Sequence, residues 1–469
     1  MSKSVASAEP DTRNRASNQI RLVSAKDFTN FIFLPVVFRN YPTSNQFGVQ
    51  MSPISVSGGL NKIVEARSYW VGGAVAKWSD IEPNPGDRNW SALNSTAQQW
   101  LNATQNGLQP IANIRSTPGW AQLYDGYSCG PMESQYFDEF ASFMRDLVSR
   151  YSKAPYNVKY WEIWNEEDID PALVPSPDND WGCWGDDSDQ YYGGIYYGDM
   201  LKYVYPAIKQ ADPNAQVLVG GLLLDCDPQN PPLGKDCLSS KYFEGILVNG
   251  GGPYFDGISY HAYDYRGLGG GVGTYSNSNW ASAWNTTGPV LIAKLNYLQN
   301  LLNSFNITGK YLINTESAVV CDACTNDVTH ETTKAYYIAQ AYASAIRYGL
   351  KGNMWYSLLG WRNSGLLTAS FDELPGFQAF KFGRQILAPS SSLGDIGALD
   401  ISSMTGVKGY KFRKDDRDVW IVWSLDGSSH TVNLIPGIPD AVYDSLGTSL
   451  TPSASLQVTL NPTYIEWIP

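Results

Sequence analysis

The sequence predicts an α/β chain folded as a (β/α)8 TIM barrel with a smaller C-terminal antiparallel β-sandwich domain. Three observations predict it. From about residue 45 to 388, short apolar runs alternate with longer amphipathic stretches, the strand-then-helix rhythm of a parallel α/β fold. Eight such runs can be read in about 340 residues, the size of a barrel with insertions. After about residue 390 the texture changes to short alternating runs separated by Gly, Asp, Ser and Pro.

In chain order, residues 1–44 form an N-terminal tail and docking segment. Its polar start, MSKSVASAEPDTRNRASNQ, has no apolar core of a secretory signal. The run FIFLPVVF (31–38) is too short to span a bilayer and is broken by Pro35. The barrel is placed at 45–388. Its strands are FGVQM (47–51), VGGAVAKW (71–78), QPIANIR (109–115), VKYWEIW (158–164), QVLVGGLLL (216–224), FDGISYHAY (255–263), KYLINTE (310–316) and GNMWYSLL (352–359). Between them lie helical patterns such as SQYFDEFASFMRDLVSRY (134–151) and ETTKAYYIAQAYASAIRYG (331–349), whose apolar residues recur every three or four positions. The β-sandwich is placed at 389–469, on the runs GYKFRK, DVWIVWSL, HTVNLI, LQVTL and TYIEWI.

Composition narrows the function classes. Lys plus Arg number 33 against 45 Asp plus Glu, a formal net charge of −12 that repels phosphate backbones and anionic membranes. No nucleic-acid partner and no membrane span are therefore expected. Six cysteines form an even set in segments that read as loops or strand ends, so disulfides and an extracellular location are expected. The CDAC stretch (321–324) also matches half of a zinc site or a redox motif. With three histidines and no second CxxC, the structural reading is preferred, and neither metal nor organic cofactor is expected.

Reactive groups of such a barrel sit at the C-terminal ends of its strands. The fourth strand leads into Asn165, Glu166, Glu167 and Asp168, and the seventh ends in Asn314, Thr315 and Glu316. The third ends in Arg115 ahead of Trp120, the second in Trp78, the sixth in His261 and Tyr263, and the eighth carries Trp355 and Tyr356. Two carboxyls facing each other among aromatics suit cleavage of a glycosidic bond. One protonates the leaving oxygen and the other meets the anomeric carbon as positive charge develops there. Aromatic faces stack on the C–H face of a sugar ring. Glu166 is assigned as acid/base and Glu316 as nucleophile, held as an anion by Tyr263, His261 or Arg115. Asn165 is assigned to the sugar 2-hydroxyl, and Trp355, Trp120 and Trp78 to the substrate site. Strict alternation sends Asn165 and Glu166 to opposite faces, so a bend or bulge is expected there. Glu167 and Asp168 read as solvated loop acids, and Glu162 as a satisfied acid inside the barrel.

WEIWNE, followed 150 positions after Glu166 by INTES, resembles the catalytic strands of clan A glycoside hydrolases. WSDIEP (78–83), TPGWA (117–121) and SYHAYDY (259–265), with a trailing β-domain, resemble family 39 in particular. The resemblance covers roughly residues 45–469. It implies a retaining mechanism on β-glycosides, with xylosides as the first substrate to try. The clan's Asn-Glu pair is usually followed by Pro, where this chain has Glu167. Three other readings stand beside it: an endo-acting polysaccharide hydrolase of the same clan, a non-catalytic carbohydrate-binding barrel, and a metal- or thiol-dependent hydrolase built on CDAC and the histidines.

Overall fold

The structure, a computed structural model, describes residues 45–174, 176 and 181–468. The tail and docking segment at 1–44 lie outside the described residues.

Eight parallel strands close into one cylinder. They are β1 (Phe47–Gln50), β2 (Trp70–Gly72, continued by Val75–Lys77), β3 (Gln109–Arg115), β4 (Tyr160–Asn165), β5 (Gln216–Leu222), β6 (Gly257–Tyr265), β7 (Tyr311–Val320) and β8 (Asn353–Tyr356). Each pairs with the next, β7 pairs with β6 and β8, and β8 closes onto β1. One helix follows each strand: α1 (Leu60–Glu65), α2 (Asn94–Gln105), α3 (Phe137–Tyr151), α4 (Gly194–Ala211), α5 (Tyr242–Val248), α6 (Val290–Ser304), α7 (Val328–Arg347) and α8 (Pro375–Leu387). All eight strands read from the sequence are present, with shifted ends. The second run breaks at Gly73, whose φ is +110° and where a Cβ would lie 2.0 Å from the Met51 carbonyl oxygen. Trp78 therefore opens a helical turn instead of ending a strand. The seventh does not stop at Glu316 but runs on to Val320, because β6 keeps offering partners as far as Tyr265.

The helices form for the reason their spacing implies. In α3, Phe137, Phe140, Ala141, Met144, Leu147, Val148 and Tyr151 are buried against the barrel, each large one contributing about 1.5–3 kcal/mol of transfer free energy. At the head of α7, Asp327 accepts from the backbone N–H groups of Thr329 and His330 and so satisfies two donors the helix leaves open. Inside the cylinder, Trp70, Ile111, Leu218, Ile313 and Met354 form an apolar plug. Two residues further along β1, β3 and β4, the inward positions become Gln50, Asn113 and Glu162, so polarity rises toward the C-terminal mouth. Glu162 accepts from Asn113 Nδ2 at 3.0 Å.

After α8, a six-stranded antiparallel sheet contains β9 (Ser391–Asp395), β10 (Val407–Lys414), β11 (Arg417–Ser424), β13 (Ala441–Tyr443), β14 (Ser449–Leu450) and β16 (Thr463–Trp467). A two-stranded sheet pairs β12 (His430–Asn433) with β15 (Ser455–Val458). Strand alternation explains why both faces of the larger sheet are apolar. Val419, Ile421 and Trp423 of β11 join the barrel's core, while Trp420 and Val422 face Val432, Leu456 and Val458 of the smaller sheet.

Candidate active site

The site is built where β4, β6 and β7 reach the mouth. At the end of β4, Ile163 pairs with Val219 and Asn165 with Gly221. Trp164 and Glu166 adopt φ of +78° and +49°, a conformation costing about 1–3 kcal/mol per residue outside glycine. Surrounding contacts hold it in place. Trp164 is buried, its indole N–H donates to Cys129 O at 2.8 Å, and Glu166 N–H donates to Gly221 O at 3.0 Å. These two residues are the expected break in alternation, and they turn the Glu166 carboxyl into the mouth. On β7 the pairing with β6 slips between Asn314 and Glu316, so that Asn314 lies opposite Tyr260 and Glu316 opposite His261. The residue passed over is Thr315, whose carbonyl accepts from Gln50 Nε2 at 2.8 Å. This bulge sets Glu316 beside the imidazole.

His261 is the hub. Its Nδ1 lies 2.8 Å from Glu166 Oε1 and 3.5 Å from Glu316 Oε2. Tyr263 O–H donates to the same Glu316 oxygen. One oxygen from each glutamate and the ring nitrogen all lie within 4.8 Å of one another. The imidazole is fully enclosed, and its Nε2 edge faces Gly221, where a Cβ would come within 2.2 Å. Burial opposes a charge on His261, but Glu316 and Glu166 outweigh it and push the ring up to about 9. Burial raises the Glu316 carboxyl to about 7, with His261 and the Tyr263 hydrogen bond pulling the other way and Glu166 adding to the rise.

Behind this layer lies a second set that the sequence reading placed in solvent. Glu167 and Asp168 are sealed in, at 0% and 2% exposure. Asp168 accepts from the backbone N–H groups of Leu223 and Leu224 at 2.8 and 2.7 Å, tying the β4 loop to the end of β5. Burial raises Asp168 to about 6 against those two donors. Glu167 is held well above the usual carboxylate range by burial and by Asp168. Its carboxyl lies over Gly220, where a Cβ would meet Oε2 at 2.2 Å. Both acids were misread because a charged run following a strand resembles a solvated loop. Here the loop folds back under the strand end, with Gly182 N–H donating to Asn165 O at 2.5 Å.

The remaining assignments divide. Asn165 stands half-buried next to Glu166, and Tyr263 and His261 meet Glu316 as expected. Trp78 and Trp355 do not face the mouth. Both are fully buried, with indole N–H groups donating to Glu82 Oε2 and to Ser364 O at 2.9 and 2.8 Å, so neither offers a ring face to a sugar. Trp120 packs edge-on against Trp78 and donates to Glu82 O at 3.0 Å, a wall of the same packing unit. Arg115 ends β3 in register with Lys77 and lines a small cleft with Cys129, Trp164 and Trp181.

Sequence reasoning missed Lys294 and Trp361. Lys294 reaches from α6 to donate to Leu223 O and His261 O at 2.6 and 2.8 Å, and burial lowers it to about 8. The signal was a lone lysine in the apolar stretch VLIAKL. Trp361, in the loop after β8, stands 44% exposed beside Tyr263 and Tyr356.

The Glu166, His261 and Glu316 atoms are of the kinds that bind a divalent cation, but they are engaged with one another through the short His261 contact. Cys321, Cys324 and His330 also converge. Metal binding by cysteine requires thiolates, and these two sulfurs form one disulfide. The other cysteines pair as Cys129–Cys183 and Cys226–Cys237, which carries the expectation of disulfides for all six.

No sequence-family model matches the chain. No curated protein sequence matches it either. Solved structures do. A family 39 glycoside hydrolase from the gut symbiont Bacteroides cellulosilyticus WH2 superimposes with a TM-score of 0.65 at 17% identity, over 90% of this chain and 80% of that one. A GH30 endoxylanase from Clostridium papyrosolvens C71 gives 0.58 at 14% identity, over 91% and 97%. A monomeric β-xylosidase from Caulobacter crescentus CB15 gives 0.56 at 13% identity, over 91% and 97%. At the level of fold, this chain is similar to glycoside hydrolases of families 39 and 30; family 39 is the one its motifs resemble, and family 30 was not expected.

Proposed function

We propose that the protein is a retaining β-glycoside hydrolase. The observation that carries this reading is the approach of Glu166 and Glu316 oxygens to within 4.8 Å around His261. Retaining enzymes hold their carboxyls roughly 5–5.5 Å apart, whereas inverting ones leave roughly 6.5–9.5 Å for a water. Glu316 attacks the anomeric carbon while Glu166 gives its proton to the departing oxygen, so the C–O bond breaks as the glycosyl ester forms. Glu166 then takes a proton from water, whose oxygen displaces Glu316 and restores the starting state. Tyr263 and His261 steady the Glu316 carboxylate, and Asn165 reaches the sugar 2-hydroxyl.

A β-xyloside or xylan-derived chain is the substrate class we favour. The family resemblance points there, and two of the structural neighbours are by name a xylosidase and an endoxylanase. Three disulfides fit an oxidising, extracellular setting. The test is hydrolysis of a panel of aryl β-glycosides by wild type, Glu316→Ala and Glu166→Gln, with the first-formed anomer followed by NMR. Retention, with loss of turnover in both variants, supports the reading. Inversion, or full activity in either variant, overturns it.

A further inference from the structure

The loop after β8 carries a feature that the two-carboxylate chemistry does not use. Trp361 is 44% exposed at the mouth, with its ring centroid 5.6 Å from that of Tyr263 and 5.9 Å from that of Tyr356. Tyr263 is the residue that donates to Glu316, so this indole stands one ring outward from the nucleophile. It is braced from behind. The Arg362 guanidinium lies 5.0 Å over the Trp361 ring and 5.6 Å over the Tyr265 ring. Both arms of that guanidinium are held by Asp322, with Nε and Nη2 at 2.5 and 2.6 Å from its two oxygens. Asp322 sits inside the Cys321–Cys324 loop. Backbone and side-chain bonds lock the two loops together: Cys321 N–H donates to Arg362 O at 3.0 Å, and Asn363 Nδ2 to Cys321 O at 2.6 Å. Ser364 accepts from Trp361 N–H at 3.1 Å and is itself fully buried.

Holding an arginine by two hydrogen bonds between two aromatic rings fixes the ring plane and removes the rotamer freedom that a ligand would otherwise have to quench. The barrel's topology indicates which part of a substrate arrives there. Glu166, on β4, protonates the leaving group, so the leaving group lies on the β4 side. β8 is four strands away around the closed cylinder and faces it from across the mouth. A residue on the β8 loop, outward of the nucleophile, meets the sugar that precedes the one being cleaved.

We propose that Trp361 is the stacking platform for a second sugar unit on the glycone side, positioned by the Arg362–Asp322 clamp on the disulfide loop, so that the enzyme works on chains of two or more β-linked pyranoses. This rests on the hydrolase reading above and names the form its substrate takes.

Two probes with one leaving group test it: 4-nitrophenyl β-xyloside and 4-nitrophenyl β-xylotrioside, which differ only in glycone-side sugars. Wild type is expected to favour the trioside by at least about tenfold in kcat/KM, the size of one good aromatic stack. Trp361→Ala is expected to erase most of that preference, and Trp361→Phe to keep part of it. Asp322→Asn, a positioning change, is expected to raise KM for the trioside severalfold while kcat on it holds. A trioside-to-monoside ratio indifferent to Trp361→Ala overturns this inference and leaves the hydrolase reading standing. Wild type that cleaves neither probe, nor any aryl glycoside of the wider panel, overturns both.

Discussion

Glu166 and Glu167 are adjacent in the chain and carry the same side chain, yet they occupy different chemical worlds. Glu166 turns through a left-handed backbone step into the mouth, where His261 meets it at 2.8 Å. Glu167 points the other way, into a sealed space over Gly220. In the proposed mechanism the first exchanges a proton with substrate; burial and Asp168 hold the second well above the usual carboxylate range. The difference shows that an acidic run at a strand end is no single functional unit. Backbone direction sorts its members.

The sharpest way to break this comparison is to neutralise each glutamate in turn. Glu316→Ala is expected to lower kcat by about 10³-fold or more, and Glu166→Gln by about 10²–10⁴-fold on substrates with poor leaving groups, measured as initial rates. Glu167→Gln keeps the shape of a sealed side chain whose charged form burial disfavours, and is expected to stay within about twofold of wild type. Equal damage from Glu166→Gln and Glu167→Gln would collapse the distinction.

Stability separates the buried acids next. Asp168→Asn replaces one of two accepting oxygens with a donor facing a backbone N–H, at a cost of about 1–3 kcal/mol by denaturant unfolding. An unchanged midpoint would mean that the β4 loop does not depend on that bond pair.

Proton linkage gives a third, smaller effect. Asp168, Asp264 (buried on β6, where it accepts from Val290 N–H and Tyr337 O–H) and Glu316 have folded-state values raised to about 6, 7 and 7 from 3.8, 3.8 and 4.5. A raised carboxyl stabilises the fold below its unfolded value, and that contribution is lost as pH climbs through the folded one. His330, lowered to about 4 from 6.5, acts in the opposite sense and subtracts stability as pH falls below its unfolded value. Three raised carboxyls outweigh the one lowered histidine, so the melting temperature is expected to be highest near pH 4 and to decline from there toward pH 8. Glu167→Gln should flatten part of the alkaline decline. A melting temperature that rises steadily from pH 5 to 8 would contradict the sealed placement of these acids.

In the mouth, Glu316 ionises as pH rises through about 7. With Glu316 as nucleophile, the kcat/KM profile is accordingly expected to rise on its acid side across that pH, and a profile flat from pH 5 to 8 would count against the assignment. The smallest expected effect is that of a chelator, which should leave aryl glycoside turnover unchanged.

Much of this was legible in the sequence, for definable reasons. The eight strands announced themselves because parallel barrel strands are buried on both faces and read as apolar runs. That Glu166 and Glu316 would come together could be read because position at a strand end, residue type and order in the chain agreed. What stayed hidden depended on backbone geometry or on distance. No pattern in WEIWNEED tells which acid the φ of +49° at Glu166 aims outward. Trp78 and Trp355 looked like sugar platforms because an indole at a strand end serves equally as a ring face or as packing. Only the partners of their N–H groups separate the two uses. Trp361 was overlooked because it lies five residues past the end of β8, in a loop with no periodicity.

Gly220 and Gly221 concentrate these dependencies at one point of β5. Any side chain on the first would collide with the Glu167 carboxyl, and any on the second with the His261 ring, at 2.2 Å in each case. Two hydrogens thus define how thick the wall is between the reacting chamber and the sealed acid behind it. For anyone reshaping this scaffold by mutagenesis, that dipeptide is a hinge of tolerance: libraries that vary it are expected to yield misassembled mouths rather than altered selectivity, whereas changes at the exposed Trp361 ring are expected to alter selectivity without disturbing the wall.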